Sequence, residues 1–391
     1  MTTRNSLFRV REGHSHSKVT FIELFFDLVF VFAVTQLSHL LINHFSYTGA
    51  IQTLLLMVAV WWVWIFTSWV TNWLDPDRLP VRMALLAMMV LGLIMSASIP
   101  LAFESRGLAF AIAYASMQVG RSAFFMWAAR GHPVRLLSFQ RITLWLAVAG
   151  VFWIAGGLAH QWWRFGLWAA ALGLEFISPL VYFWVPGLGR SSIDDWDIEG
   201  AHMAERCGLF IIIALGESIL VTGATFSELD WDVPVTAAFI VSLVGSFAMW
   251  WLYFDVGAEI GSTRIAHSSE PGRLARLAYT YIHLFMVAGI VVAAVSDEFV
   301  LHHPSGHAEL PTIITLLGSA LLYLMGNMLF KWVMMGRLPR SHLLGMAVLV
   351  VLALGAHLVS PLLLSCCTTA VLVVMAIWER LACYGAVNTA G

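Results

Sequence analysis

Five acids sit inside, or at the edge of, runs of sequence otherwise apolar enough to cross a bilayer: Glu23, Asp27, Glu175, Glu205 and Glu217. Arg121 and His283 are embedded in the same way. An ionised side chain at the centre of a spanning helix costs about 2.5 to 3.5 kcal/mol on insertion scales. Each of these groups therefore needs a counter-charge, a proton or water. Intramembrane carboxylates with protons to exchange are the chemistry of proton- or cation-coupled pathways.

Helical rise places them. Asp27 lies one turn beyond Glu23 on the same face, roughly 10 Å inside the helix's entry interface. Arg121 precedes Arg130, at its own helix end, by about 13 Å. The similar depths predict an Asp27–Arg121 ion pair. Glu217 lies about 18 Å past Glu205, near mid-bilayer, between Gly216 and Ser218. Glu175 and His283 lie roughly 12 to 13 Å from the same interface. No basic residue is left inside the membrane for Glu217 and Glu175. They are expected to be protonated or to face a hydrated cavity; a neutral Glu bonded to a neighbouring helix is the alternative. Glu23 and Glu205 fall in first helical turns, where the backbone dipole favours an anion, so capping and interfacial hydration explain them equally well.

Other chemistry is thinly represented. His202 and Glu205 have i, i+3 spacing, too little for a metal site, and His39 reads as an interfacial histidine. His302, His303 and His307 fall in a polar loop. There is no HExxH, GxSxG, P-loop or dinucleotide fingerprint, and no basic stripe for nucleic acid. No enzymatic activity, cofactor or bound metal is expected. The four cysteines, Cys207, Cys366, Cys367 and Cys383, form no CxxC pair and imply no disulfide framework.

The chain that positions these groups is 60% hydrophobic and only 11% charged over 391 residues, with mean hydropathy +0.82. A soluble chain carries roughly a quarter charged residues, so this is an all-α polytopic membrane protein. Spans are expected at 21–42, 49–71, 82–103, 107–129, 140–159, 162–184, 206–226, 233–254, 275–295, 312–334, 342–359 and 361–379. The last two are divided at Ser360-Pro361. The first apolar run is too long and too acidic for a cleavable leader and reads as a retained helix. With twelve spans, 18 of the 21 Lys and Arg fall on the side of the termini. That bias predicts cytoplasmic termini in a bacterial inner membrane.

The halves echo one another. "ELFFDLVFVFAVTQLS" from Glu23 matches "ERCGLFIIIALGESIL" from Glu205, "AVWWVWIF" matches "AMWWLYFD", and Gly120-Arg121 aligns with Gly326-Asn327. Six helices per half predict a parallel repeat about an axis along the membrane normal. Leu209 and Asn327 stand where the first half has Asp27 and Arg121, and Thr35-Gln36 stand opposite Glu217. The expected organisation is a cytoplasmic segment 1–20, a first repeat 21–184, an acidic linker 185–204 with Asp194, Asp195, Asp197 and Glu199, a second repeat 205–380, and a tail 381–391.

Both signature stretches resemble those of the bacterial low temperature requirement A family, over nearly the whole chain. The resemblance implies a multi-pass membrane protein and marks Glu23, Asp27, Glu205, Arg206 and Glu217 as signature positions. Cys207 stands where a bulkier apolar residue is expected. Phe25-Phe26-Asp27 is also similar to the Phe-Ser-Asp motif of two-repeat, six-helix potassium channels, without its Ser. The leading expectation is a secondary transporter or permease for a small solute or ion, protons included. Glu217, Asp27, Arg121, Glu175 and His283 are its transport or coupling candidates, and Glu23, Glu205, Arg206, Ser218 and Gln36 its signature or interfacial residues. A cation channel and a non-transporting stress-response scaffold are the alternatives. The partners expected are the lipid bilayer and that solute, with a homo-oligomer compatible.

Overall fold

The computed structural model describes residues 6–9, 18–192, 198–268 and 270–388. These are helical throughout apart from connections, with isolated bridges Phe8–Leu74 and Val185–Gly189 in place of strands. Among the described residues, ten helices are long and apolar enough to cross a membrane. The linker acids Asp194, Asp195 and Asp197, and Arg4 and Arg11 of the N-terminal segment, lie outside the described residues. Two compact units divide the chain between Met203 and Ala204, with 270–272 grouped with the first.

The first unit contains α1 (Phe21–Asn43), α2 (Tyr47–Trp73), α3 (Leu79–Ser98, tightening into a 3₁₀ turn to Leu101), α4 (Gly107–Ala128), α5 (Pro133–Leu158) and α6 (Gln161–Leu180). Starts are set by local chemistry. Glu23 reaches back to the Thr20 amide at α1, and Ser46 accepts from Gly49 N at α2. Prolines occupy the first turns of α3 and α5, where their missing N–H is no loss. Sequential helices α3 to α6 pack pairwise, α1 lies against α2 and α3, and α2 also meets α4 and α6. That central place suits the sequence of α2. "AVWWVWIF" is apolar all round, and Trp61, Trp62 and Trp64 are buried.

The second unit holds most of α7 (Gly200–Glu228), then α8 (Val233–Leu252), α9 (Ala258–Ala266), α10 (Pro271–His302), α11 (Leu310–Met335), α12 (Arg340–Gly355) and α13 (Pro361–Asn388). Here α10 packs on α11, α11 on α12, α12 on α13, and α13 on α8. Two stretches are wound as π-helix: Tyr253–Gly257 after α8 and Ala275–Ile282 within α10. The second shifts a hydrogen-bond frame just before His283. Helices α12 and α13 do separate before Pro361, after a short turn at 356–358. Several helices outrun their expected spans by a turn or more: α5 begins at Pro133, α7 begins at Gly200 and α10 ends at His302, because hydropathy registers only the apolar part.

Two helices of 22 and 20 residues, α4 and α6, fall short of the hydropathy of the ten. They carry Arg121 and Glu175.

Candidate functional site

A fully buried polar constellation inside the first unit is centred on Glu175 of α6. Its Oε2 accepts from Tyr114 Oη at 2.6 Å and Gln118 Nε2 at 2.8 Å, and its Oε1 from Trp153 Nε1 at 2.9 Å. Tyr114 and Gln118 are one turn apart on α4, and Trp153 comes from α5. Gln118 turns its other end to the base, with Oε1 accepting from Arg121 Nη2. A primary amide thus bridges the guanidinium and the carboxylate: Arg121 to Gln118 to Glu175. All five side chains are buried. Trp153 is fixed in turn by Tyr114, whose ring centroid lies 4.3 Å away, and by Trp168, which donates to the Trp153 carbonyl. Glu175 therefore has a basic counterpart in the interior of the first unit, where the sequence expectation left it none. The counterpart acts at one remove, through an amide that composition alone does not single out.

Asp27 and Arg121 are not joined. Arg121 donates Nη1 to the Val63 carbonyl at 3.1 Å and to Thr67 Oγ1 at 3.2 Å, and lies 5.6 Å over the Phe66 ring. Asp27, fully buried, accepts from Trp64 Nε1 at 2.8 Å. Both charged groups are thus fastened to neighbouring residues of α2, Val63 and Trp64. Equal depth was the basis for predicting a pair; depth says nothing of azimuth, and the tryptophan-rich turn of α2 takes up both groups.

A second constellation gathers around Glu23. Oε2 accepts from Arg9 Nη2, the Thr20 amide and Thr20 Oγ1, each at 2.9 Å. Oε1 accepts from His202 Nε2 at 3.1 Å. Asn72 Nδ2 lies 3.2 Å from His202 Nδ1, and Arg9 Nη2 lies 3.2 Å from His202 Nε2, so the imidazole sits between Asn72, Arg9 and Glu23. Asn72 also exchanges hydrogen bonds with the Glu199 backbone, through Nδ2 to O and Oδ1 from N. Arg9 Nε meets the Thr71 carbonyl and Phe8 bridges Leu74, so the segment before α1 is laced to the end of α2. Glu23 is a capping residue and an ion-pair partner at once. His202 serves this cluster; its i, i+3 relation to Glu205 is not used between them.

In the second unit, His283 is buried behind the π-wound stretch. Its Nδ1 meets the Ala278 carbonyl at 2.8 Å, so Nε2 is the acceptor for Tyr253 Oη at 2.9 Å. Tyr279 stacks on it and Phe330 meets it edge-on. Three groups not singled out from the sequence appear here. Asp297 of α10, buried, accepts from Thr222 Oγ1 of α7 at 3.2 Å. Glu379 of α13 pairs with Lys331 of α11 and with His342 Nδ1 of α12 at 3.1 Å. Lys331 also donates to the Leu252 carbonyl, at the start of a π-wound stretch. Glu217 and Ser218 are buried on α7, while Glu205 is exposed and Gln36 half-buried. Arg206 is buried. The signal for the Glu175 cluster was present: Tyr114, Gln118 and Arg121 form an i, i+4, i+7 polar stripe on one helix face. Asp297 lies just beyond the predicted end of its span, and Lys331 and Glu379 sit in last turns that read as aqueous.

An all-helical bundle with carboxylates and bases neutralised in its interior defines a polytopic membrane protein. A profile of the bacterial low temperature requirement A protein family (LtrA) matches residues 18–377. The chain is also 41% identical over 375 residues to an uncharacterized protein, RA0937, of Rhizobium meliloti (strain 1021), covering 95% of this chain and 91% of that one. The chain belongs to the bacterial low temperature requirement A family. No solved structure matches it.

Proposed function

We propose that the protein is a secondary transporter or permease for a small solute or ion, coupled through intramembrane carboxylates. The observation that carries this reading is the burial of five acids inside or at the ends of the long helices: Glu23, Asp27, Glu175, Glu217 and Asp297, at 0, 0, 2, 5 and 7% exposure. Such residues are rare in membrane helices and mark ion or substrate pathways. A cleft of about 610 Å³ in the first unit adds to it. Its lining includes His44, Gln52, Glu104, Gln161, Trp162 and Phe165, polar and aromatic groups suited to a small solute. In this reading α4 and α6 cross as well, giving twelve spans in two parallel six-helix repeats, with both termini in the cytoplasm of a bacterial inner membrane. Glu217 is the coupling carboxylate, and the Arg121–Gln118–Glu175 relay a positioning or gating element.

One observation favours a second, non-transporting reading. Glu175 is saturated by Tyr114, Gln118 and Trp153, as a purely structural carboxylate would be. The two readings separate in proteoliposomes. Cation and proton flux is measured for wild type, Glu217→Gln and Glu175→Gln, with and without a pH gradient. Transport predicts flux in wild type that Glu217→Gln lowers at least tenfold while the protein stays monodisperse. Flux unchanged in Glu217→Gln removes that residue from the pathway. No flux across a panel of ions and small solutes favours the scaffold.

A further inference from the structure

A cavity of about 270 Å³ opens between α2, α3 and α4 of the first unit. Its walls are apolar, with Val70, Leu85, Met88, Leu91 and Phe124 among them. Its charged lining group is Arg121, only 4% exposed. The rim is made of small residues: Ala87, Ser116 and Gly120 are exposed on helices of a membrane bundle, and a side chain at Gly120 would meet nothing within 4 Å. An exposed small residue on such a face leaves a gap toward lipid rather than toward water. The cavity is therefore a side window, apolar along its length and cationic at its floor.

The floor is not saturated. Arg121 has five N–H donors. Three hydrogen bonds are formed, to Val63 O, Thr67 Oγ1 and Gln118 Oε1, and Nε has no hydrogen-bond partner among the described residues. A donor facing an apolar cavity without an acceptor costs roughly 1 to 3 kcal/mol or more; the polar groups of these walls are the hydroxyls of Thr67, Thr71 and Ser116, and Arg121 already uses Thr67. We infer that this cavity takes one single-chain amphiphile with a carboxyl head, entering sideways from the bilayer and placing its oxygens on Arg121. A carboxyl group matches the planar guanidinium fork. It can also pass hydrocarbon in its neutral form, which a phosphate diester head cannot, since it stays ionised. The volume equals that of about nine liquid waters, enough for a chain segment of one acyl tail and too little for two. This site rests on the crossing of α4 in the reading above and on Arg121, and it does not need transport.

The test uses the full-length protein in phosphatidylcholine nanodiscs, photolabelled with a diazirine-bearing dodecanoic acid or with the corresponding alcohol. Labelled residues are then located by mass spectrometry. The expected result is labelling of α3 and α4 by the acid, competed by unlabelled laurate and not by dodecanol. Gly120→Leu fills the window from a position with open space around it. It should lower that labelling at least tenfold with an unchanged thermal midpoint. Arg121→Gln should abolish the preference for acid over alcohol. Labelling unaffected by Gly120→Leu, equal labelling by acid and alcohol in wild type, or competition by phosphatidylglycerol but not by laurate would each overturn the proposal.

Discussion

The two units handle interior charge in different ways. In the first, Arg121 and Glu175 sit well inside their helices and are connected by Gln118, with Tyr114 and Trp153 closing the carboxylate's remaining positions. The described helices of that unit are free of π-wound stretches. In the second, where the expected repeat sets Asn327 against Arg121, two ion pairs lie near the ends of the expected spans, Lys331 with Glu379 and Arg380 with Asp255 at 2.8 Å, while Glu217 is buried midway along α7. Two stretches there are π-wound, and side chains cover some of the carbonyls nearby, Lys331 at Leu252 and His283 at Ala278. A deep charge needs a connected network of protein partners, because water cannot stand in for a missing one. A charge near a helix end tolerates a simpler pair, because water can.

That contrast can be broken first at Arg121. Arg121→Met leaves Glu175 buried without its counter-charge and is expected to destabilise the protein by about 3 to 5 kcal/mol. Adding Glu175→Gln should recover much of that loss, since both charges then disappear together. Unfolding in mixed micelles of the two single variants and the double measures the coupling; additive losses would show that Gln118 transmits nothing. A smaller effect is expected from Lys331→Met. Glu379 is 12% exposed at its side chain, so water takes over part of the ammonium's role and the cost should be about 1 to 3 kcal/mol. If Lys331→Met equals or exceeds Arg121→Met, depth is not what separates the units. The smallest effect belongs to Asn327→Leu, at the position that the expected repeat sets against Arg121. Asn327 is buried but donates only to the Tyr323 carbonyl within its own helix. An apolar residue of similar shape should change stability by less than about 1 kcal/mol, read in the same unfolding assay.

Much of the helical frame was legible in the sequence because twenty apolar residues in a row have few alternatives. The start of α1 at Phe21 follows from Thr20 and Glu23, and the separation of α12 from α13 from Pro361. The site was legible only as a set of suspects. Glu175 and Arg121 were identifiable as buried charges, but rise along a helix fixes depth and leaves rotation free, so Arg121 was assigned to Asp27. The actual intermediary, Gln118, is neutral and draws no attention on a charge count. The π-wound stretches were beyond reach, since shifting a hydrogen-bond frame by one residue barely alters an apolar pattern. Lys331 and Glu379 were not singled out for a simpler reason: residues in a last turn read as solvated until neighbouring helices are seen to cover them.

The amide bridge also has a consequence for how the chain is made. Gln118 and Glu175 are 57 residues apart, so on the twelve-span reading α4 leaves the ribosome well before α6 exists. For that interval Arg121 has no Glu175 to answer it, and α4 on its own is a poor substrate for release into lipid. On that reading the insertion machinery is expected to hold α4 at its lateral gate until α5 and α6 arrive, and to deliver the three helices together as a hairpin and a half.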